Sequence, residues 1–449
     1  MKPLFSLALC ILFAGSSCKK NPEPGLYQQL SAARVLLPNG WSLTPAGQSQ
    51  PLGDLPLNLV FSPSGKYFAV TNNGQSAQSI MLFDAASQTL LSEIAIPKAW
   101  LGLKFHPNDA LLYASGGNDN MIRVYQIGTD ARLTLADSLV LGKPWPEKIS
   151  PAGIDIDFSG QRLYTVTKED QSLYVFDLAS GQLIKKVALP AEAYTCLLSP
   201  DGNSLYISIW GGDQIALFDT QTLELKQAVA TESHPNDMVL TPEGQFLFVA
   251  NANANSISVI DTRERRVVET IMTALYPDAP TGSTSNALAL GPEGKTLYVA
   301  NADNNCQVVF DVTKPGQSSS LGFIPTGWYP TAVKVHENTL FVANGKGMTS
   351  LPNPKGPNPY ERRTPETEYI GGLFKGSLSF LPVPGKQALD IFTRLVYENT
   401  PYNKNIEAQA EGEAGNPIPR IPGEPSPIKY VFYVIKENRT YDQVFGDMP

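Results

Sequence analysis

One frame recurs seven times between Phe61 and Pro384, and it restricts the fold more than any other feature of the chain. In the clearest copies, LSPDGNSLYISIWGGDQIALFDT from Leu198, LTPEGQFLFVANANANSISVIDT from Leu240 and LGPEGKTLYVANADNNCQVVFDV from Leu290, an apolar run meets a Pro-acid-Gly turn. A second run follows, then an Asn- or Gly-rich loop, then a third run that reaches Asp. Looser copies begin at Phe61, Phe105, Asp157 and Val335. Short runs of β-branched and aromatic residues between turn signals read as strands. Successive turn prolines, Pro63 to Pro107 and Pro200 to Pro242 to Pro292, stand 42 to 50 residues apart, close to the ~40–50 residues of a four-stranded propeller blade. Each copy buries one face against its neighbours and cannot stand alone, so the copies are expected to close into a ring.

Closure poses a problem that the chain itself answers. The third run of the last copy, GSLSFLPVP from Gly376 to Pro384, has no fourth run after it. An unpaired segment, GWSLTPAGQSQPLG from Gly40, stands before the first copy in the place of a fourth strand. The expectation is an all-β, seven-bladed β-propeller over residues 40–384, closed by an N-terminal strand in blade seven. An open six-blade ring with a loose seventh repeat would leave an exposed sheet edge, which proteins avoid. Only 17% of residues are charged, while 36 glycines and 37 prolines suit short strands and tight turns. The PDG/PEG turn followed by LYVAN and SVID resembles the YVTN family of β-propellers, and the resemblance recurs in frame from Gly40 to Pro384.

Strand order places the loops. Links from second to third strand, and from each outer strand to the next blade, fall on one face; the Pro-Gly turns fall on the other. The first face gathers Asn118, Asp119, Lys168, Trp210, Asp213, Asn251, Asn301, Asp303, Asn344 and Lys346, with His234 and Trp328 from the lead-ins to their blades. Such a ring of polar groups is a candidate ligand or partner site, although Asn, Asp and Gly are also what tight loops require. His106 and His336 occupy turn positions on the opposite face. No C-x-x-C spacing exists, and Cys196 and Cys306 read as buried small hydrophobes. The propeller is expected to need no cofactor. An insertion at 345–372 carries too many prolines for a helix and is expected to project over the polar face as a lid or docking surface. The net charge of −8 argues against nucleic acid as a partner.

The ends carry different information. Lys2, the apolar run Leu4 to Ala14 and the small residues Gly15-Ser16-Ser17 read as an export signal over residues 1–17. Cys18 resembles the lipidated cysteine of bacterial lipoproteins, with Gly15 where Leu is usual, and residues 18–39 would form a tether. The chain is therefore expected to be exported, as an outer-membrane or periplasm-facing lipoprotein that meets the membrane through its lipid alone. After the propeller, Leu389, Phe392, Leu395 and Val396 stand at helical spacing, and a Pro-rich stretch completes a helix and linker over 385–427. Tyr430 to Ile435 reads as a buried strand opening an α/β domain at 428–449.

That strand and its polar patch, YVFYVIKENRTYDQVFG, resemble the opening of the phosphoesterase branch of the alkaline-phosphatase-like superfamily. The resemblance implies a divalent metal held in part by Glu437 and Asn438, and a propeller that serves as binding and positioning module. Two ligands on one strand cannot hold a catalytic metal, and the nucleophile and remaining ligands of that family have no counterpart before Pro449. The expectation is a truncated domain, inactive by itself, in a protein acting on a phosphoester or an envelope component. The competing expectations are a stand-alone envelope binding propeller without enzymatic activity, and a propeller hydrolase working in its own channel.

Overall fold

The computed structural model describes residues 25–277, 279–358, 360–401, 415–418 and 425–435. Seven four-stranded antiparallel sheets follow one another around a central channel. Blade 1 comprises Pro56–Phe61, Tyr67–Asn72, Ser79–Asp84 and Leu90–Ala95, and blades 2 to 6 repeat this order from the channel outward. Their innermost strands are Leu103–Phe105, Pro151–Ile156, Cys196–Leu198, Pro235–Leu240 and Ser285–Leu290. The turn glycines supply a left-handed backbone where the first strand reverses: Gly202, Gly244 and Gly294 have φ of 71°, 71° and 67°. Two of the looser copies keep the glycine, Gly65 and Gly160 at φ of 72° and 69°, and two place Asp109 and Glu337 there instead, at φ of 61° and 51°. The second and third strands are buried along most of their length, because sheets cover them on both sides. Phe68 and Phe83 of blade 1 stack at 4.7 Å, and Phe68 meets Phe341 of blade 7 at 5.4 Å.

Blade 7 is assembled from both ends of the propeller. Its inner three strands are Trp328–His336, Thr339–Gly347 and Ser377–Pro382, and its outer strand is Gln48–Pro51. The register pairs Gln48 with Phe380, Ser49 with Ser379, Gln50 with Leu378 and Pro51 with Ser377. The expected closure by the Gly40 segment is the one observed, and the count of blades is seven.

Blades are also laced to one another near the channel. Asn58 Nδ2 donates to the carbonyl of Leu101 in blade 2 (2.8 Å), and Asp155 accepts from Leu198 N of blade 4 (2.8 Å). Asp237 accepts from Leu288 N (2.8 Å), Asn286 Nδ2 donates to Thr331 O (3.4 Å), and Thr331 Oγ1 donates across the closure to Pro56 O. Each bond satisfies backbone that the short innermost strands leave unpaired.

The helix expected after the propeller spans Lys386–Asn399 and buries Leu389, Phe392, Leu395 and Val396. Burial of four such side chains contributes roughly 6–12 kcal/mol. The helix lies on the outer strand of blade 6, Ser319–Pro325, where Thr393 Oγ1 accepts from Phe323 N at 2.9 Å. An edge strand is thereby covered rather than left open. Part of the stretch read as a tether is helical, Leu26–Ala32, and packs on this second helix. Arg34 pairs with Glu398 at 3.1 Å and Tyr27 Oη donates to the same carboxylate at 2.9 Å.

The run read as opening a further domain is unpaired among the described residues. Tyr430 to Ile435 forms no strand and stands 69% to 92% exposed. A strand is defined by its partner, and none of the described residues pairs with this run. Residues 1–24, with the signal sequence and Cys18, and residues 436–449, with Glu437 and Asn438, lie outside the described residues, as does most of the Pro-rich linker.

Removal of the closing strand checks the architecture. A chain that starts at Asp54 should melt on the order of 10 °C lower than one that starts at Gly25, through lost pairing and an open blade edge. Thermal unfolding followed by circular dichroism measures this, and equal midpoints would show that the strand does not close the ring.

Candidate functional site on the polar face

The innermost strands enclose a small cavity. A space of about 50 Å³ remains among Asn58, Tyr194, Thr195, Asp237, Asn286 and Lys334, with Leu and Ala neighbours. Deeper in the ring, Lys104 Nζ sits 2.7 Å from Asp155, whose side chain is only 5% exposed, while that of Lys104 borders the channel. Burial alone would pull the Lys104 ammonium down, but the Asp155 charge and hydrogen bond outweigh it, and the net shift is upward. Burial pushes the neighbouring Cys196 thiol well above its usual range. Cys196 and Cys306 are both buried free thiols, as the sequence indicated. Among the described residues no three His, Cys, Asp or Glu gather closely enough to hold a metal ion.

The candidate residues of the polar face separate into two kinds. Asn251 and Asn301 end the second strands of blades 5 and 6, Asn344 lies within the second strand of blade 7, and all three are fully buried. Asn251 Nδ2 donates to Ser256 and Ser258 Oγ at 3.0 Å, and Asn344 Nδ2 to Ser377 and Ser379 Oγ at 3.2 and 3.1 Å. Asn301 donates to Thr273 O at 2.6 Å and accepts from Ser285 Oγ at 3.2 Å. Asn72 repeats the arrangement in blade 1 with Ser79 at 3.0 Å. In Asn72, Asn251 and Asn344 this bond holds the second and third strands together, while Asn301 ties its strand to the first strand of blade 6 and to the link from blade 5.

The remaining candidates stand at the surface in four groups. Asn118 accepts from Ser150 Oγ at 2.9 Å, which ties its loop to the lead-in of blade 3, and Asp119 pairs with Arg123 of the following strand at 2.9 Å. Lys168 lies 3.4 Å from Glu192 and 5.6 Å from the Trp100 ring centre, between blades 3 and 4. Asp213 accepts from His234 N at 2.8 Å, Trp210 meets the His234 ring edge-on at 4.2 Å, and Ser233 Oγ lies 2.6 Å from His234 Nδ1. Asp213 Oδ1 is 4.0 Å from that same nitrogen, so serine and aspartate compete for one ring atom rather than relaying through two.

The last group surrounds Lys346. Its Nζ stands 4.5 Å from the Tyr329 ring centre, 5.4 Å from Trp328 and 6.0 Å from Phe374. Trp328 and Phe374 are themselves edge-to-face at 5.7 Å. Burial pulls the Lys346 ammonium below its ordinary pKa, and the charge of Asp303 opposes the pull. Asp303 is exposed and accepts from Thr284 Oγ1 at 2.5 Å. Sequence reading found Trp328, Lys346 and Asp303 but missed Tyr329 and Phe374. Tyr329 adjoins Trp328 and was legible as an aromatic pair, whereas Phe374 arrives from the far end of the insertion and left no local signal. The insertion itself forms no α-helix among its described residues, and its end, Ile370–Leu373, lies beside Gln75 and Ser76 of blade 1. It therefore reaches from blade 7 across to the neighbouring blade on this face.

Residues 191–269 match the family described as lactonase, 7-bladed beta-propeller, and residues 98–126 match the WD domain, G-beta repeat. Pre-mRNA-processing factor 19 of Schizosaccharomyces pombe is 22% identical over 174 residues, 36% of this chain and 33% of that protein. The chain thus spans about a third of the length of the curated relative it matches. Among solved structures, Kuenenia stuttgartiensis hydrazine synthase superposes with a TM-score of 0.55 at 17% identity, over 64% of this chain and 92% of that one. The first of these family descriptions names the seven-bladed architecture seen here. At such identities these likenesses speak to fold alone.

The polar contacts make opposite demands that can be measured. Lys104→Met should cost about 2 kcal/mol at neutral pH, less than for a fully buried pair because the ammonium borders the channel. The folded-state pKa of Lys104 is raised, so the pair's contribution is complete below the ordinary lysine value of 10.5 and is lost as pH rises beyond it. Denaturant unfolding against pH should show the wild-type advantage shrinking in that alkaline range; an advantage constant with pH would contradict the assignment.

Proposed function

We propose that this chain is the binding and positioning part of an exported, lipid-anchored, metal-dependent phosphoesterase. The observation that carries the reading is where the chain leaves the propeller. The helix Lys386–Asn399 is fixed on blade 6, and Tyr397 Oη donates to Leu275 O at 2.7 Å. Thr400 then lines a cavity of about 150 Å³ with Trp41, Gly282, Ser283 and Asn304, residues of the polar face and its rim. The helix thus delivers Thr400 to that face. Further along, the six residues Tyr430 to Ile435 present an apolar surface that a neighbouring sheet would cover.

The motif beyond them supplies the chemistry. Glu437 and Asn438 offer a carboxylate and an amide oxygen, hard donors that fit a hard divalent cation, with the other ligands coming from elsewhere in the domain. Such an ion would polarise a phosphoryl oxygen. The chain's own part is to hold substrate or an envelope component at the polar face. Cys18 would carry the lipid and place the protein in a bacterial envelope, facing the periplasm or held at the outer membrane.

A second reading has one observation in its favour: the lactonase-type match over 191–269 contains Trp210, Asp213, Ser233 and His234. It would make the propeller a hydrolase acting on its own face. One assay separates the readings. The protein expressed from its complete natural reading frame should hydrolyse p-nitrophenyl phosphate or bis-p-nitrophenyl phosphate with added Mn²⁺ or Zn²⁺, and Glu437→Ala should lower the rate by roughly 100-fold or more. Absence of phosphoester hydrolysis with either metal, or a rate unaffected by Glu437→Ala, would overturn the proposal. Metal-independent lactone hydrolysis that His234→Ala abolishes would establish the second reading instead.

A further inference from the structure

Lys346 is held where three segments meet: the lead-in to blade 7, the end of its second strand, and the end of the insertion. The side chain is half-buried, and no carboxylate or carbonyl of the described residues accepts a hydrogen bond from its ammonium. Aromatic faces stabilise a positive charge, but they leave its three N–H donors without directed acceptors. Most lysines in close contacts on this molecule meet a carboxylate, as Lys104, Lys168, Lys186, Lys226 and Lys295 do at 2.7 to 3.4 Å. Lys346 meets rings instead.

A carboxylate is nevertheless nearby. The loop carrying Asp303 packs against the same lead-in, with Tyr329 N donating to Asn305 Oδ1 at 3.0 Å and Thr326 N to Asn305 O at 3.1 Å. Asp303 lies close enough for its charge to act on both Lys346 and Tyr329, yet it forms no ion pair with the lysine. The corner therefore offers a cluster of half-buried aromatic rings, two of them set edge to face, a cation with unfilled donors, and a separate exposed acceptor.

We propose that this corner of the polar face binds an acidic carbohydrate, a glycan carrying uronate residues. The C–H faces of a pyranose ring pack on aromatic side chains, its carboxylate pairs with Lys346, and its hydroxyls donate to Asp303. A bare anion would use the lysine but gain nothing from the rings and be repelled by Asp303. A neutral sugar would leave the ammonium unpaired. The proposal deepens the reading of the polar face as a binding surface and rests on that reading, but it does not depend on the phosphoesterase motif.

The test is isothermal titration of the full chain with trigalacturonate and with the neutral galactose trimer. The uronate trimer should bind saturably and at least ~10-fold more tightly than the neutral one. Lys346→Gln should remove that preference, Lys346→Arg should retain most of it, and Asp303→Asn should weaken both sugars, each variant keeping the wild-type melting temperature. Should Lys346→Gln fail to fold, protection of Lys346 from acetic anhydride by the uronate trimer, mapped by mass spectrometry in the wild type, reads the same contact. No binding of the uronate trimer, equal binding of both trimers, or a preference that survives Lys346→Gln would overturn the proposal. Sugar binding that persists in Glu437→Ala while phosphoester hydrolysis is lost separates this inference from the function proposed above.

Discussion

A four-residue pairing holds the ring shut. Gln48 to Pro51 lies against Ser377 to Phe380, more than 300 residues away in the chain, and every other contact of the molecule presumes that closure. Each blade covers one face of its neighbour, so an open ring would expose two apolar sheet faces as well as an edge. Thr331 Oγ1 bonded to Pro56 O and the Phe61–Phe341 contact at 5.0 Å span the same seam on its channel side. The two helices then seal the outside, with Arg34, Tyr27 and Arg394 converging on Glu398. The two chain ends of the propeller are thereby fixed to each other.

Much of this was legible in the sequence because propellers write the same local physics seven times. Pro-acid-Gly turns, β runs and Asp-ended third strands each recur at a fixed offset, and the missing fourth strand of the last copy pointed to its substitute at Gly40. The helix was legible from Leu389, Phe392, Leu395 and Val396. Tyr430 to Ile435 was not, because apolarity marks a residue's preference for burial and not the presence of a partner. The helix at Leu26 to Ala32 was missed for a related reason: LYQQLSA has few apolar residues and is held by the Glu398 cluster more than by its own pattern.

The candidate site was legible only in outline. Topology put the right loops on one face, but it could not say which polar residues there were already committed. Asn251, Asn301 and Asn344, with Asn72 of blade 1, recur in four of the seven blades, and in each the side chain braces neighbouring backbone or hydroxyls inside the fold. The Lys346 cluster carries information because it breaks the repeat. Trp328, Tyr329 and Phe374 have no counterparts in the other blades' clear copies, and Phe374 reaches the site through the insertion that interrupts blade 7.

Closure of the ring by the N-terminal strand can be read directly with a cross-link. Ser49 and Ser379 are directly opposed, with their Oγ atoms 3.0 Å apart. In a chain whose Cys10 and Cys18 are replaced by serine, the Ser49→Cys and Ser379→Cys pair should form an intramolecular disulfide under mild oxidation, while Cys196 and Cys306 stay buried and unreactive. Peptide mapping should find the bridged pair, and the melting temperature should rise and fall back on reduction. Two thiols that remain free in the folded monomer, or that bridge only between molecules, would contradict the closed seven-bladed ring on which the account depends.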